Sequence, residues 1–193
     1  MSWRELFNGR DLSGWAATGD AAGWDVDGGC IRCRAERGGY LYTLDRFEDF
    51  ELSLEYRTEP RCNSGVFFRW SDLQDPVNTG LEIQILDTWG QEQDRHSSGA
   101  LYDLVAPPQD VARPAGEWNR MLLTCRGPRM RLEQNGLHAW DVDVDDYDTP
   151  GRCPDGTSSK YRYAWKEMPR LGHIGLQDHG GVCWFRELRV RTG

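Results

Sequence analysis

Apolar and polar residues alternate over Leu81-Glu82-Ile83-Gln84-Ile85, the two-residue period of a strand with one buried face. Leu81, Ile83 and Ile85 point one way, Glu82 and Gln84 the other, and Asp87 follows at the end of the stretch. Residues 51–57 alternate as cleanly: Leu52, Leu54 and Tyr56 face in and charged residues face out, the pattern of a half-buried antiparallel strand. Further strands are expected over 66–70, 118–126, 129–134, 137–142, 173–177 and 182–191. Short ones fall within 23–44, around the Asp27-Gly28-Gly29 turn and at Gly38-Gly39-Tyr40-Leu41-Tyr42. Asn135-Gly136 marks a hairpin turn. Leu6, Phe7, Leu12 and Trp15 read as anchors under a sheet edge. No segment carries a long helical repeat, and the best candidate, 160–168, is broken by Pro169. Many short strands with Gly and Pro turns predict an all-β fold, a two-sheet antiparallel β-sandwich or jelly roll. The pattern does not give the strand order.

The remaining segments read as loops: 58–64, 71–80, 88–98, 103–117 and the long aperiodic stretch 143–171. A loop of that last length in a compact domain is usually functional or a lid. The chain of 193 residues suits one domain over 1–193 and is long enough for a substantial core. Nine tryptophans and 11% aromatics exclude a disordered chain. A net charge of −8 without a basic run argues against nucleic acid as a partner. Apolar runs are too short for a membrane span. The start, Met-Ser-Trp-Arg-Glu-Leu-Phe, has no apolar signal core, so the expected location is cytoplasmic as the sequence stands, or exported if a leader has been removed. Six cysteines are scattered, and the one close pair, Cys30 and Cys33, sits in a strand-like stretch rather than at a helix start. Free thiols are expected, not a disulfide framework.

Candidate chemistry concentrates in four stretches. Glu82 and Gln84 offer a carboxylate and an amide on one strand face, suited to a polyhydroxylated ligand. Arg69, flanked by Phe67, Phe68 and Trp70, suits a carboxylate partner or a developing oxyanion. Gly99-Ala100-Leu101-Tyr102 adds a phenol. Gln177-Asp178-His179-Gly180 puts a carboxylate beside an imidazole in a Gly-rich turn, suited to proton transfer or metal binding. The structural alternatives are a wet sheet face for Glu82 and Gln84, an ion pair for Arg69, and a turn cap for Asp178. Asp141 to Asp148 is acidic, but an EF-hand needs Gly at its sixth place and Glu at its twelfth, and Asp146 and Arg152 stand there. Among the tryptophans, Trp89 and Trp165 lie in loops and are the better candidates for stacking on a sugar ring.

Taken together, Leu6–Trp15, Asn63–Arg69, Glu82–Asp87, Gly99–Tyr102, Glu117-Trp118-Asn119, Gly172–Gly180 and Phe185-Arg186 resemble the 3-keto-disaccharide hydrolase domain family, long called domain of unknown function 1080. The match runs in order along nearly the whole chain. The resemblance implies a concanavalin-A-like jelly roll and activity on glycosides already oxidised to a ketone at sugar carbon 3. Many members are exported.

A ketone at carbon 3 acidifies the proton on carbon 2. Removing it gives an enediolate whose charge needs a donor or a metal, and loss of the carbon 1 substituent then needs an acid. On this resemblance Glu82 or Asp178 would be the base. His179 or Arg69 would stabilise charge, and Tyr102 or His179 would donate the proton. Gln84, Gln177 and Trp89, with Asp87 and Trp165, would bind the sugar. A small carbohydrate is the expected partner. No cofactor is assigned, although the chemistry admits a divalent cation. The competing expectation is a lectin-like module that binds carbohydrate without cleaving it.

Overall fold

The computed structural model describes residues 2–35 and 39–193. Its elements in chain order are β1 (Arg4–Glu5), β2 (Trp15–Ala17), β3 (Trp24–Asp27), β4 (Cys30–Cys33), β5 (Gly39–Thr43), β6 (Phe50–Thr58), β7 (Asn63–Trp70), a one-turn helix α1 (Pro76–Thr79), β8 (Leu81–Leu86), β9 (Asn119–Arg126), β10 (Arg129–Gln134), β11 (Leu137–Asp143), β12 (His173–Asp178) and β13 (Cys183–Thr192). The expected strands are present. The turn expected at Gly38 lies outside the described residues. Residues 160–168 contain only a short 3₁₀ turn at Trp165–Glu167.

Two antiparallel sheets form the sandwich. The larger runs β11-β10-β9-β6-β13-β4-β3, with β1 added beside β13; the smaller runs β2-β5-β12-β7-β8. Alternation decides which residues meet between them. From the larger sheet come Leu52 and Leu54 of β6, Leu123 of β9, and Phe185 and Val190 of β13. From the smaller come Leu41, Val66, Phe68, Ile83, Ile85, Ile174 and Leu176. Burying each aliphatic side chain of this size contributes about 1.5–3 kcal/mol. Phe7 and Trp15 close one margin, and the Trp15 indole donates to the Leu6 carbonyl at 2.7 Å.

A polar link crosses the core. Gln134 Nε2 donates to the Tyr56 hydroxyl at 2.9 Å, the hydroxyl meets Ser98 Oγ at 3.1 Å, and the Trp140 indole donates to the Gly99 carbonyl at 2.9 Å. These bonds tie the segment around 97–102 to the larger sheet. That segment also pairs with β8: Gly99 N donates to Gln84 O at 2.8 Å, Gln84 N to Ala100 O at 3.0 Å, and Tyr102 N to Glu82 O at 2.9 Å. The outer edge of β8 is thereby covered, and Tyr102 is held beside Glu82.

All six cysteines are free and buried. Among the described residues no helix is long and apolar enough to cross a membrane.

Candidate functional site

The site lies on the face of the smaller sheet turned away from the core. On β8 the residues between Leu81, Ile83 and Ile85 are Glu82 and Gln84. On β7 the residues alternating with Val66 and Phe68 are Asn63, Gly65 and Phe67. On β12 it is Gln177, and on β5 Tyr40. In register, Gly65 stands opposite Gln84, Phe67 opposite Glu82, and Gln177 opposite Tyr40. Six of these seven residues, all but Gly65, line a cavity of about 160 Å³. His179, Val77 from α1, Tyr102 and Lys160 complete it. Larger grooves, of about 510 and 570 Å³, lie on the other sheet over Arg126 and its neighbours, among structural ion pairs such as Glu51 with Arg126 and Arg191.

Glu82 faces away from the core as the alternation requires, yet it is only 4% exposed. Its cover comes from the long loop between β11 and β12. Lys160 Nζ stands 3.8 Å from Glu82 Oε2 and 3.8 Å from the centre of the Tyr102 ring, a cation–π contact. The Lys160 backbone is fixed as well, its N–H donating to Asp103 Oδ2 at 2.5 Å. The other Asp103 oxygen meets His96 Nε2 at 3.2 Å, and the His96 ring packs edge-on against Tyr102. Arg95 ties the loop down through Thr157 Oγ1 at 2.9 Å.

Burial sets the electrostatics. It raises the Glu82 carboxyl from 4.5 to about 7, with Lys160 pulling back only part of the way. Burial likewise lowers the Lys160 ammonium, against the opposing attraction of Glu82 and Asp103. The Tyr40 and Tyr102 hydroxyls are raised by burial and stay protonated near neutrality.

At the other end, Asn63 Nδ2 donates to His179 Nδ1 at 2.9 Å, which leaves the imidazole proton on Nε2. Gln177 Nε2 meets the Tyr40 hydroxyl at 3.4 Å. The Gln84 amide oxygen is buried without a hydrogen-bond partner in the protein. The floor continues as an aromatic cluster: Tyr40 contacts Phe67 and Trp70 at 4.9 and 5.2 Å between ring centres.

The structure thus gathers Glu82, Gln84, Tyr102, Gln177 and His179 around one cavity, and places the other sequence candidates elsewhere. Arg69 is excluded by a bulge. β12 pairs His173 with Trp70 but Gly175 with Phe67, so β7 carries one extra residue there, and Arg69 adopts φ +49°. Trp70 takes the site face. Arg69, 2% exposed, donates instead to the Glu48 carbonyl at 3.0 Å and approaches Asp49 at 3.4 Å. Trp165 is buried against Tyr161 and shares a separate small cavity with Arg69. Asp178 shares the core-facing parity of Ile174 and Leu176, and its carboxylate lies 3.4 Å from where a Gly23 Cβ would stand, beside the Cys33 thiol. Asp87 accepts the Arg61 backbone N–H at 2.8 Å and does not line the cavity. Trp89, 56% exposed, does not either.

Sequence reading missed Tyr40, Asn63, Phe67, Val77 and Lys160. Tyr40, Asn63 and Phe67 lay on expected strands or matching stretches and follow from alternation. For Lys160 the signal was compositional: the chain has 23 Lys plus Arg, and of these only Lys160 and Lys166 are lysine.

The antiparallel two-sheet sandwich is a fold found among solved carbohydrate-binding proteins. The Bacillus subtilis carbohydrate-binding module CBM66 superposes with TM-score 0.59 at 12% identity, over 93% of this chain and 96% of that one. The chain belongs to the family described as the 3-keto-alpha-glucoside-1,2-lyase-like domain, whose profile matches residues 2–191. It is 26% identical to a 3-keto-disaccharide hydrolase of Bacteroides thetaiotaomicron, over 97% of this chain and 77% of the relative. A solved Parabacteroides distasonis protein, provisionally classed as a glycosyl hydrolase, superposes with TM-score 0.90 at 29% identity, each chain covered in full.

Proposed function

We propose that the protein cleaves glycosides carrying a ketone at carbon 3, by removing the carbon 2 proton and expelling the carbon 1 substituent. The observation that carries this reading is the Glu82 carboxyl, buried in a sugar-sized polar cavity and raised to about 7, where a general base is most effective at neutral pH. Family membership and the name of the Bacteroides relative support the substrate class.

Glu82 takes the carbon 2 proton. The C–H electron pair forms the carbon 2–carbon 3 double bond, and the carbonyl pair moves onto the carbon 3 oxygen. Collapse of this enediolate breaks the carbon 1–oxygen bond, and the leaving oxygen takes a proton from His179 Nε2. Water then adds across the enone if the net reaction is hydrolysis. Such a route needs a base, an acid and charge stabilisation, not the paired carboxylates of ordinary glycosidases. Gln84 Oε1, unpartnered in the protein, is placed to accept a sugar hydroxyl, and Gln177 and Tyr40 offer further polar contacts. The cavity's metal-type donors are one carboxylate and one imidazole. No group of three or more His, Cys, Asp or Glu able to hold a metal occurs among the described residues. One carboxylate and one imidazole are too few to hold a metal without further ligands.

The test is incubation with a 3-keto-glucoside, a 3-keto-disaccharide and their unoxidised parents in deuterated water. Release of the carbon 1 group from the keto compounds alone is expected, leaving either the enone or, where water has added, a sugar carrying deuterium at carbon 2. Saturable binding of the same sugars without turnover would establish the carbohydrate-binding module instead.

A further inference from the structure

We propose that Lys160 is a catalytic residue: its ammonium holds the carbon 3 oxygen of the bound keto sugar and carries the negative charge that develops there. The inference rests on the reaction proposed above and adds the electrophile that reaction requires.

The geometry supports it in three ways. First, the proton removed and the oxygen that becomes negative sit on adjacent sugar carbons, so base and stabiliser must be neighbours. Lys160 Nζ is 3.8 Å from Glu82 Oε2, and among the residues lining the cavity it is the one Lys or Arg. Arg69, the cation that sequence alone points to, is held by Glu48 at the far end of β7.

Second, the side chain is pre-positioned. Its backbone is anchored on Asp103. The hairpin before it is closed by Cys153 N–H to Thr157 O at 2.8 Å and Ser159 N–H to Gly151 O at 2.9 Å. The ammonium rests on the Tyr102 ring. A positioned charge at the mouth of the cavity, its side chain 30% accessible, stabilises a developing oxyanion with little reorganisation. The 3.8 Å separation from Glu82 is longer than a tight charge-assisted hydrogen bond, so the ammonium keeps donor capacity for a ligand oxygen.

Third, the residue type matters. This chain uses arginine at nearly all of its cationic positions, yet lysine stands here. An ammonium is a compact point charge with rotatable donors, able to follow a carbonyl oxygen as it becomes an oxyanion. A guanidinium is a broad planar fork that would press on Glu82 and Tyr102.

The test compares wild type, Lys160→Met and Lys160→Arg on a 3-keto-glucoside. Saturated turnover should fall about 10²–10³-fold in Lys160→Met, with a much smaller change in KM, and Arg should not restore it. The pH profile supplies a readout that lost packing would not move. Without the ammonium, the base limb assigned to Glu82 should shift to higher pH. The other titratable groups facing Glu82 and Lys160, namely Tyr40, Tyr102, Tyr161, His179, Asp103 and His96, are the same in all three proteins. Borohydride added during turnover should leave Lys160 unmodified. Unchanged turnover in Lys160→Met, or a loss confined to KM, would overturn the proposal. So would a sugar mass reduced onto Lys160, because the amine would then be a nucleophile. If wild type itself turns over no keto glycoside, it is the parent reaction that falls.

Discussion

Gly65 lies so close to Glu82 that a Cβ built on it would overlap the Oε1 atom of the carboxyl group. The missing side chain on β7 is what makes room for the acid on β8. The Gly65 backbone is not in the left-handed region, so alanine there is opposed by the carboxylate and not by its own φ. Gly65→Ala should fold, lose about 1–3 kcal/mol of stability through overpacking, and lose turnover nearly as completely as a substitution of Glu82 itself. A melting curve and saturated kinetics on a keto glycoside check this; wild-type turnover would mean that the Glu82 position is not critical.

Glu82→Gln should keep the fold and lower saturated turnover about 10²–10⁴-fold, the usual effect of losing a positioned base. It should also change stability in a pH-dependent way. The folded carboxyl holds its proton more tightly than the unfolded one, so wild-type stability falls as pH rises from the ordinary carboxylate range through 7. A rise from 4.5 to about 7 corresponds to about 3 kcal/mol. The glutamine variant, free of that term, should match wild type near pH 4 and be the more stable protein at pH 8. Denaturant titrations at the two pH values decide; parallel behaviour would mean that the carboxyl is not buried in solution.

His179→Gln should be most damaging for substrates whose carbon 1 group is a poor leaving group. An activated phenol needs little protonation as it departs, so turnover on a nitrophenyl 3-keto-glucoside should fall much less than on a 3-keto-disaccharide. Equal losses on both would remove His179 from the proton-donor role. Asn63→Ala, which frees Nδ1, should show the same leaving-group dependence in weaker form.

Arg69→Met and Asp178→Asn separate structural from chemical roles. Arg69 satisfies the Glu48 carbonyl from a buried position, and its loss should cost about 1–3 kcal/mol. Asp178 faces the Cys33 side of β12. Each variant, measured below its melting range, should turn over keto substrate at the wild-type rate per folded molecule. A large loss in Asp178→Asn would return the base role to that residue.

Two-residue alternation made most of the fold and half of the site legible. It placed Leu81, Ile83 and Ile85 in the core and Glu82 and Gln84 on the other face, and the structure agrees. The same rule, carried one strand further, places Asp178 with Ile174 and Leu176 and would have removed it from the site. Arg69 was beyond the reach of any period, because a single extra residue in β7 reverses the faces after Phe68 and no local turn residue announces it. Trp165 was misjudged because an aperiodic segment need not be exposed: Tyr161 and Trp165 form a small buried cluster of their own. Lys160 comes from the same segment. Its position depends on Asp103, some 57 residues away in sequence, and contacts at that separation leave no periodic trace.

The scarcity of lysine gives this protein a built-in gauge of access to its cavity. Lys166 and Lys160 are both accessible, but the Lys160 ammonium stands against the Glu82 carboxyl and the Tyr102 ring, so an amine-acylating reagent meets one amine free of the cavity and one at its mouth in the same loop. A lysine-specific protease faces the same choice. The ratio of modification or cleavage at the two positions therefore reports how firmly the Lys160 ammonium is held at the cavity. A ligand that seats beneath Lys160 should change that ratio whether or not it is consumed, which makes differential lysine mapping a route to finding sugars the protein accepts before any reaction is assayed.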